Sequence, residues 1–173
     1  MANINILADL YRHMEWADAA VWTSVLASEA GETDAKLREY LNHLHAVQRA
    51  FLRVWRGEPL DTTYPEFEGA KSLLQWVRTY YGEAFAMLEA LNEEKISEPM
   101  IMPWAGMVEK RLGHKPDATT LGETLLQVAL HSTYHRGQAN ARLRAVGGKA
   151  PMVDYIAWVW MGRPAAAWPD ATP

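Results

Sequence analysis

Four stretches of this chain repeat their apolar residues at helical spacing, and almost none alternates as a strand would. In the first, about residues 4–28, Leu7, Leu10, Met14, Val21 and Val25 share a face, and Gly31 stands just beyond its end. The second runs from residue 33 or 34 to about 56, with Thr33 or Asp34 as N-cap and Gly57 and Pro59 as the stop. After a loop containing Pro65, a third covers about 69–92. The fourth spans about 120–146, opened by Thr120 and Glu123 at capping-box spacing and closed by Gly147-Gly148. A shorter helix is predicted over about 152–161, and the Pro-rich tail after it is assigned no regular structure. Helices with one apolar stripe each must bury those stripes against one another. The chain therefore reads as all-α, an up-down four-helix bundle with an additional short C-terminal helix, in one domain over residues 1–173.

The connection from Glu93 to Thr119 is too long for a plain turn. It carries Pro99, Met102, Pro103, Trp104 and His114, and its apolar residues predict a loop packed on the body.

Composition narrows the function. Nearly half the residues are hydrophobic and 22% are charged, a balance that excludes disorder. The net charge is −4, and the basic residues are dispersed among acidic ones, so no nucleic-acid footprint is expected. No long apolar run marks a membrane span, and the first dozen residues are too polar for a secretory signal. A cytoplasmic protein is expected. The chain has no cysteine, so a metal site must use histidine, carboxylate or water.

The sharpest local pattern is HSTYHRGQ, His131 to Gln138. Four residues apart on a helix, His131 and His135 lie on one face, one turn apart, able to grip a single ion. They sit at the edge of the stripe of Leu121, Leu125, Val128, Ser132, Ala139 and Leu143. Spacing alone leaves open that they are two ordinary helical histidines. Polar Thr124, Gln138 and Arg142 on the same face favour a site, because a purely structural helix has little reason to line its inner edge so. A third ligand must come from elsewhere. His43 and His45 point to nearly opposite sides of the second helix, and the stripe of Leu44, Val47, Phe51 and Trp55 lies between them, so periodicity does not choose. His13 and His114 read as surface or loop histidines.

At these residues the chain resembles the DinB-like superfamily of helical bundles, over almost its whole length. The resemblance rests on Tyr134–Gln138 (YHRGQ), on His43 preceding Arg49 and Phe51-Leu52, on Trp16-Ala17, and on the late Asp154-Tyr155-Ile156-Ala157-Trp158. It selects His43 over His45 and implies a site of His43, His131 and His135 holding a divalent metal ion, usually Zn or Ni. Some such proteins are metal-dependent transferases that activate a low-molecular-weight thiol, so a small-molecule substrate is expected. The resemblance also makes a homodimer an expectation.

Three neutral imidazoles and no carboxylate leave a doubly charged ion with an open position, the pattern of a catalytic centre. The expectation is activation of a thiol or water for attack on a small electrophile, by an S-transferase or hydrolase. The alternatives are a non-catalytic metal-binding stress-response protein and an interaction module. Arg136 reads first as a structural ion pair, Tyr134 as packing, and Glu15 and Asp18 as a solvated face, with a base or a partner for a ligand histidine as their alternative role. Trp104 and Trp16 are candidates to wall a pocket.

Overall fold

Side-chain caps set where the helices begin. In the computed structural model, which describes residues 3–60 and 65–170, Asn3 accepts from the backbone N–H groups of Asn5 and Ile6 and opens α1, Ile4–Leu26. Ser28 accepts from Gly31 N at 3.1 Å and opens a one-turn α2, Glu29–Thr33, where the sequence predicts only a turn. Gly31 lies inside α2 rather than beyond a helix end, and the position takes glycine because a Cβ there would stand 2.6 Å from the Val25 carbonyl oxygen. Asp34 caps α3, Ala35–Trp55, through Leu37 N at 2.7 Å, one of the two caps predicted. Helix α4 is Ala70–Glu89. Thr120 and Glu123 form the predicted capping box on α7, Leu121–Ala145. The C-terminal helix α8 is Tyr155–Trp160, within its predicted bounds.

The long connection is not structureless. It folds into α5, Glu93–Ile96, a strand β1, Pro99–Met100, the helix α6, Ala105–Leu112, and a strand β2, Thr119–Thr120. The strands pair antiparallel, Pro99 with Thr120 and Met100 with Thr119. Trp104 packs edge-on against Phe51 at 4.9 Å, so the loop does lie on the body.

Two apolar clusters fill the bundle, and together they fix the helix directions. One joins Leu7 and Tyr11 from the start of α1 and Leu121 and Leu125 from the start of α7 to Phe51, Leu52, Tyr80 and Leu88 from the ends of α3 and α4. The other joins the opposite ends: Val21, Trp22, Leu37, Leu41, Leu73, Leu74, Ala139 and Leu143. The long helices thus run up, down, down and up: the bundle is all-α with four long helices as expected, but α3 and α4 run parallel rather than alternating. Helix α3 is 21 residues, about 32 Å long, and the chain between Trp55 and Ala70 is long enough to recross it when extended. Around the ring, α7 lies between α1 and α3, and α4 closes the other side. No helix among the described residues is long and apolar enough to cross a membrane.

The segment after α7 straps the outer side of α1. Ala157 and Trp158 of α8 are buried, and the Trp158 indole N–H donates to the Pro164 carbonyl at 2.9 Å. Among the described residues, the tail beyond α8 has no regular structure, yet it is pinned. Trp168 packs against both core clusters and donates to Glu15 Oε1 at 3.1 Å.

Candidate metal centre

Helices α3 and α7 pack antiparallel, tied at one end by Arg142 to Asp34 (2.7 Å) and at the other by Trp55 to Thr124 (2.9 Å). Midway between these ties, His43 comes from α3 and His131 and His135 from α7. Their ring centroids lie 5.7 Å (His43 to His131), 4.6 Å (His43 to His135) and 4.3 Å (His131 to His135) apart. One ring nitrogen from each falls within 4.8 Å of the others, close enough to converge on one ion.

The hydrogen bonds prepare this convergence. His135 Nδ1 lies 2.7 Å from Gln138 Oε1, which can only accept, so Nδ1 carries the proton and Nε2 presents its lone pair. The Gln138 amide N–H groups in turn face the Tyr134 hydroxyl at 3.3 Å. His131 Nε2 is buried with no hydrogen-bond partner, an orphaned polar atom that a metal ion would satisfy. Burial first, then His135 and His43, pushes the His131 imidazole down to about 4. Burial and then His135 also lower His43. Both shifts favour the neutral, ligating form. The donor set is all nitrogen, which suits borderline ions such as Zn, Ni, Co or Cu. The residues present therefore fit a divalent metal. His43 is exposed, and beside it opens a groove of about 540 Å³ lined by Glu39, Tyr40, Asn42, Ala46 and Gln138.

Immediately inside the histidines lies a second polar layer that the sequence reading does not anticipate. Asp18 is 2% exposed, not on a solvated face. It accepts from Arg136 Nη1 at 2.7 Å, from Gln48 Nε2 at 3.0 Å and from the Tyr81 hydroxyl. Burial pushes the Asp18 carboxyl up, but Arg136 and these donors outweigh it and hold it below its ordinary value. Gln48 also donates to Ser132 Oγ at 3.1 Å. His45 belongs to this layer. The Trp22 indole N–H donates to His45 Nε2 at 3.0 Å, so His45 Nδ1 holds the proton and donates to Gln48 Oε1 at 2.8 Å. Burial lowers the His45 pKa, consistent with that neutral tautomer. The structure thus separates the two candidates: His43 joins the cluster and His45 is a core residue.

The other singled-out residues fall elsewhere. Arg136 is the buried ion pair the sequence reading favours. Tyr134 is 64% exposed rather than packed. His13 is a correction, since it is 5% exposed, donates Nε2–H to the Val153 carbonyl at 2.9 Å and meets Trp16, Tyr155 and Trp158 under the strap. His114 is exposed, its Nδ1 3.0 Å from the Lys115 carbonyl oxygen. Glu15 faces the α1–α4 seam, and neither Trp16 nor Trp104 lines the groove beside the histidines. Arg49 clamps α3 to α4 through Glu83 (2.6 Å), Thr79 (2.7 Å) and the Trp76 carbonyl (3.2 Å). The early and late family-like segments meet through His13, which packs on Trp16 of α1 and on Tyr155 and Trp158 of the strap.

Comparison with known families gives one match: the model of the DinB family aligns with residues 1–166. No curated protein matches the chain.

Proposed function

The chain belongs to the DinB family, and from that footing we propose that it is a metal-dependent enzyme that activates a low-molecular-weight thiol or a water for attack on a small electrophile. The observation carrying this reading is the trio of His43, His131 and His135, with His131 Nε2 buried and unpartnered and His135 Nε2 freed by Gln138. What a divalent ion held there supplies is a Lewis-acidic position at which a thiol or water loses its proton near neutral pH. The chain does the rest. Gln138 fixes which nitrogen of His135 faces the cluster, and Tyr134 continues that line of contacts to the surface. The groove of Glu39, Tyr40 and Asn42 gives a small molecule access from the His43 side. The chain supplies no thiolate of its own, so a soft nucleophile must arrive as a small molecule.

The test has two parts. The purified protein is expected to hold one zinc or nickel ion per chain, and His131→Ala to lose it. Metal-loaded and metal-stripped protein are then screened with several small thiols against alkyl halide and epoxide electrophiles, with ester hydrolysis as the water arm. Turnover that requires the metal supports the enzyme. Stoichiometric metal with no turnover in any arm supports instead a non-catalytic metal-binding protein, the reading the cluster alone would equally permit.

A further inference from the structure

The face of the bundle opposite the histidines carries a feature that the proposed reaction does not use. In the ring of four helices the metal cluster lies between α3 and α7, so the α1–α4 seam is on the far side. The strap runs over that seam and leaves a groove of about 680 Å³, whose apolar wall includes Ile4, Phe85 and Leu91. Of its charged residues, Asp9, Arg12 and Arg163 are paired, the single Asp9 carboxylate being shared between the two cations at 3.1 Å and 3.3 Å. Glu15 is not. It is half-buried, its one hydrogen bond is from the Trp168 indole to Oε1, and no described residue pairs with it as a cation. The exposed Glu89 adds further negative charge to the lining.

We propose that this seam is a second ligand site, taking an organic monocation: an ammonium group carried on an apolar or aromatic body. A carboxylate partly withdrawn from water against apolar walls gains from a counter-charge that brings its own apolar surface. A bare inorganic cation leaves the apolar surface of Ile4, Phe85 and Leu91 uncovered, and a single carboxylate is a poor cage for a divalent ion. An anion is repelled by Glu15 and Glu89. Burial raising the Glu15 pKa, only partly offset by Trp168, agrees with a carboxylate short of a partner.

The probe is phenethylammonium, titrated into the full-length protein with tryptophan indole resonances followed by NMR. A saturable shift centred on Trp168 is expected. Phenethyl alcohol, which keeps the body and lacks the charge, is expected to bind at least about tenfold more weakly. Glu15→Gln keeps an acceptor for Trp168 and is expected to lose about the same factor, with metal content unchanged. The proposal is overturned by no saturation up to ~10 mM, by equal binding of the alcohol, by an unaltered Glu15→Gln, or by a shift centred on Tyr134 and the histidines. The comparison of amine with alcohol is made on the unmodified protein, so it decides the matter even if the variant fails to fold.

Discussion

Two histidines two residues apart on α3 have unlike environments, and each calls for a different outcome on removal. His43 faces the groove with no hydrogen bond of its own, so His43→Ala is expected to leave the fold intact and abolish tight metal uptake, read by metal analysis after dialysis. His45 sits between Trp22 and Gln48, and His45→Ala strands an indole N–H and an amide oxygen. At roughly 1–3 kcal/mol for each buried group left unpaired, a loss of about 2–4 kcal/mol is expected in urea unfolding, with metal stoichiometry unchanged. Gln138→Ala removes only the partner that fixes the His135 tautomer, and metal affinity is expected to fall about 10–100-fold. Unchanged affinity would show that Gln138 is incidental. Helical spacing could not separate His43 from His45, because the apolar stripe of α3 lies between their directions. Only the register of His43 with Arg49 and Phe51-Leu52 did so. His13 misled for another reason: what buries it is the strap, some 140 residues later in the chain, and α1 carries no sign of that cover.

Helix α7 presents two polar faces that meet different demands. His131, His135 and Gln138 turn toward the cluster, while Ser132 and Arg136, one position on from the two histidines, turn into the core. Its position in the sequence was plain, since the capping box and the closing glycines mark both ends. The purpose of its inward polar residues was not, because their partners Asp18 and Gln48 lie on other helices. Helices α5 and α6 and the β1–β2 pair escaped the sequence reading because elements of two to eight residues are too short to show a period. The cap of α3 gives a prediction with a sign. Asp34 is held down to about 2, first by the hydrogen bond from Arg142, against an ordinary 3.8. A lowered folded-state pKa stabilises the protein above the unfolded value, and that stabilisation is lost as the pH falls through 3.8 toward 2. Because Arg142 is 39% exposed, solvent screening reduces the effect to about 1 kcal/mol. Asp34→Asn keeps an N-cap and loses the charge. Unfolding free energies of the two proteins are expected to differ by that amount at pH 5 and to converge at pH 2. A constant difference would place the effect in the cap rather than in the ion pair.

Across the whole molecule, the bundle is two apolar clusters with a charged and hydrogen-bonded layer between them, and the three-histidine cluster lies at the rim of that layer. All four long helices enter it: Asp18 from α1, His45 and Gln48 from α3, Tyr81 from α4, Ser132 and Arg136 from α7. Such a layer gains little over apolar packing in net stability, but breaking it from one side costs heavily. Asp18→Asn keeps the shape, removes the charge and leaves Arg136 buried without a counter-ion, for which a loss of about 3–5 kcal/mol is expected. Replacing both, as Asp18→Leu with Arg136→Met, removes the stranded charge and is expected to recover part of that loss. The recovery stays incomplete, because the Tyr81 hydroxyl loses its carboxylate acceptor and Gln48 Nε2 loses one of its acceptors while keeping Ser132. What remains is whether the layer also serves the metal. None of His43, His131 and His135 makes a hydrogen bond to it, and the orientation of His135 comes from Gln138 on its own helix. A bound ion stabilises a fold according to its concentration and affinity, whatever the starting stability. Zinc is therefore expected to raise the unfolding free energy of Asp18→Asn, measured by urea titration at fixed free zinc, by the same amount as in the unmodified protein. A much smaller rise would mean that Asp18 acts on the site through Arg136 and the turn of α7 that carries His135, and that the layer is part of the metal centre.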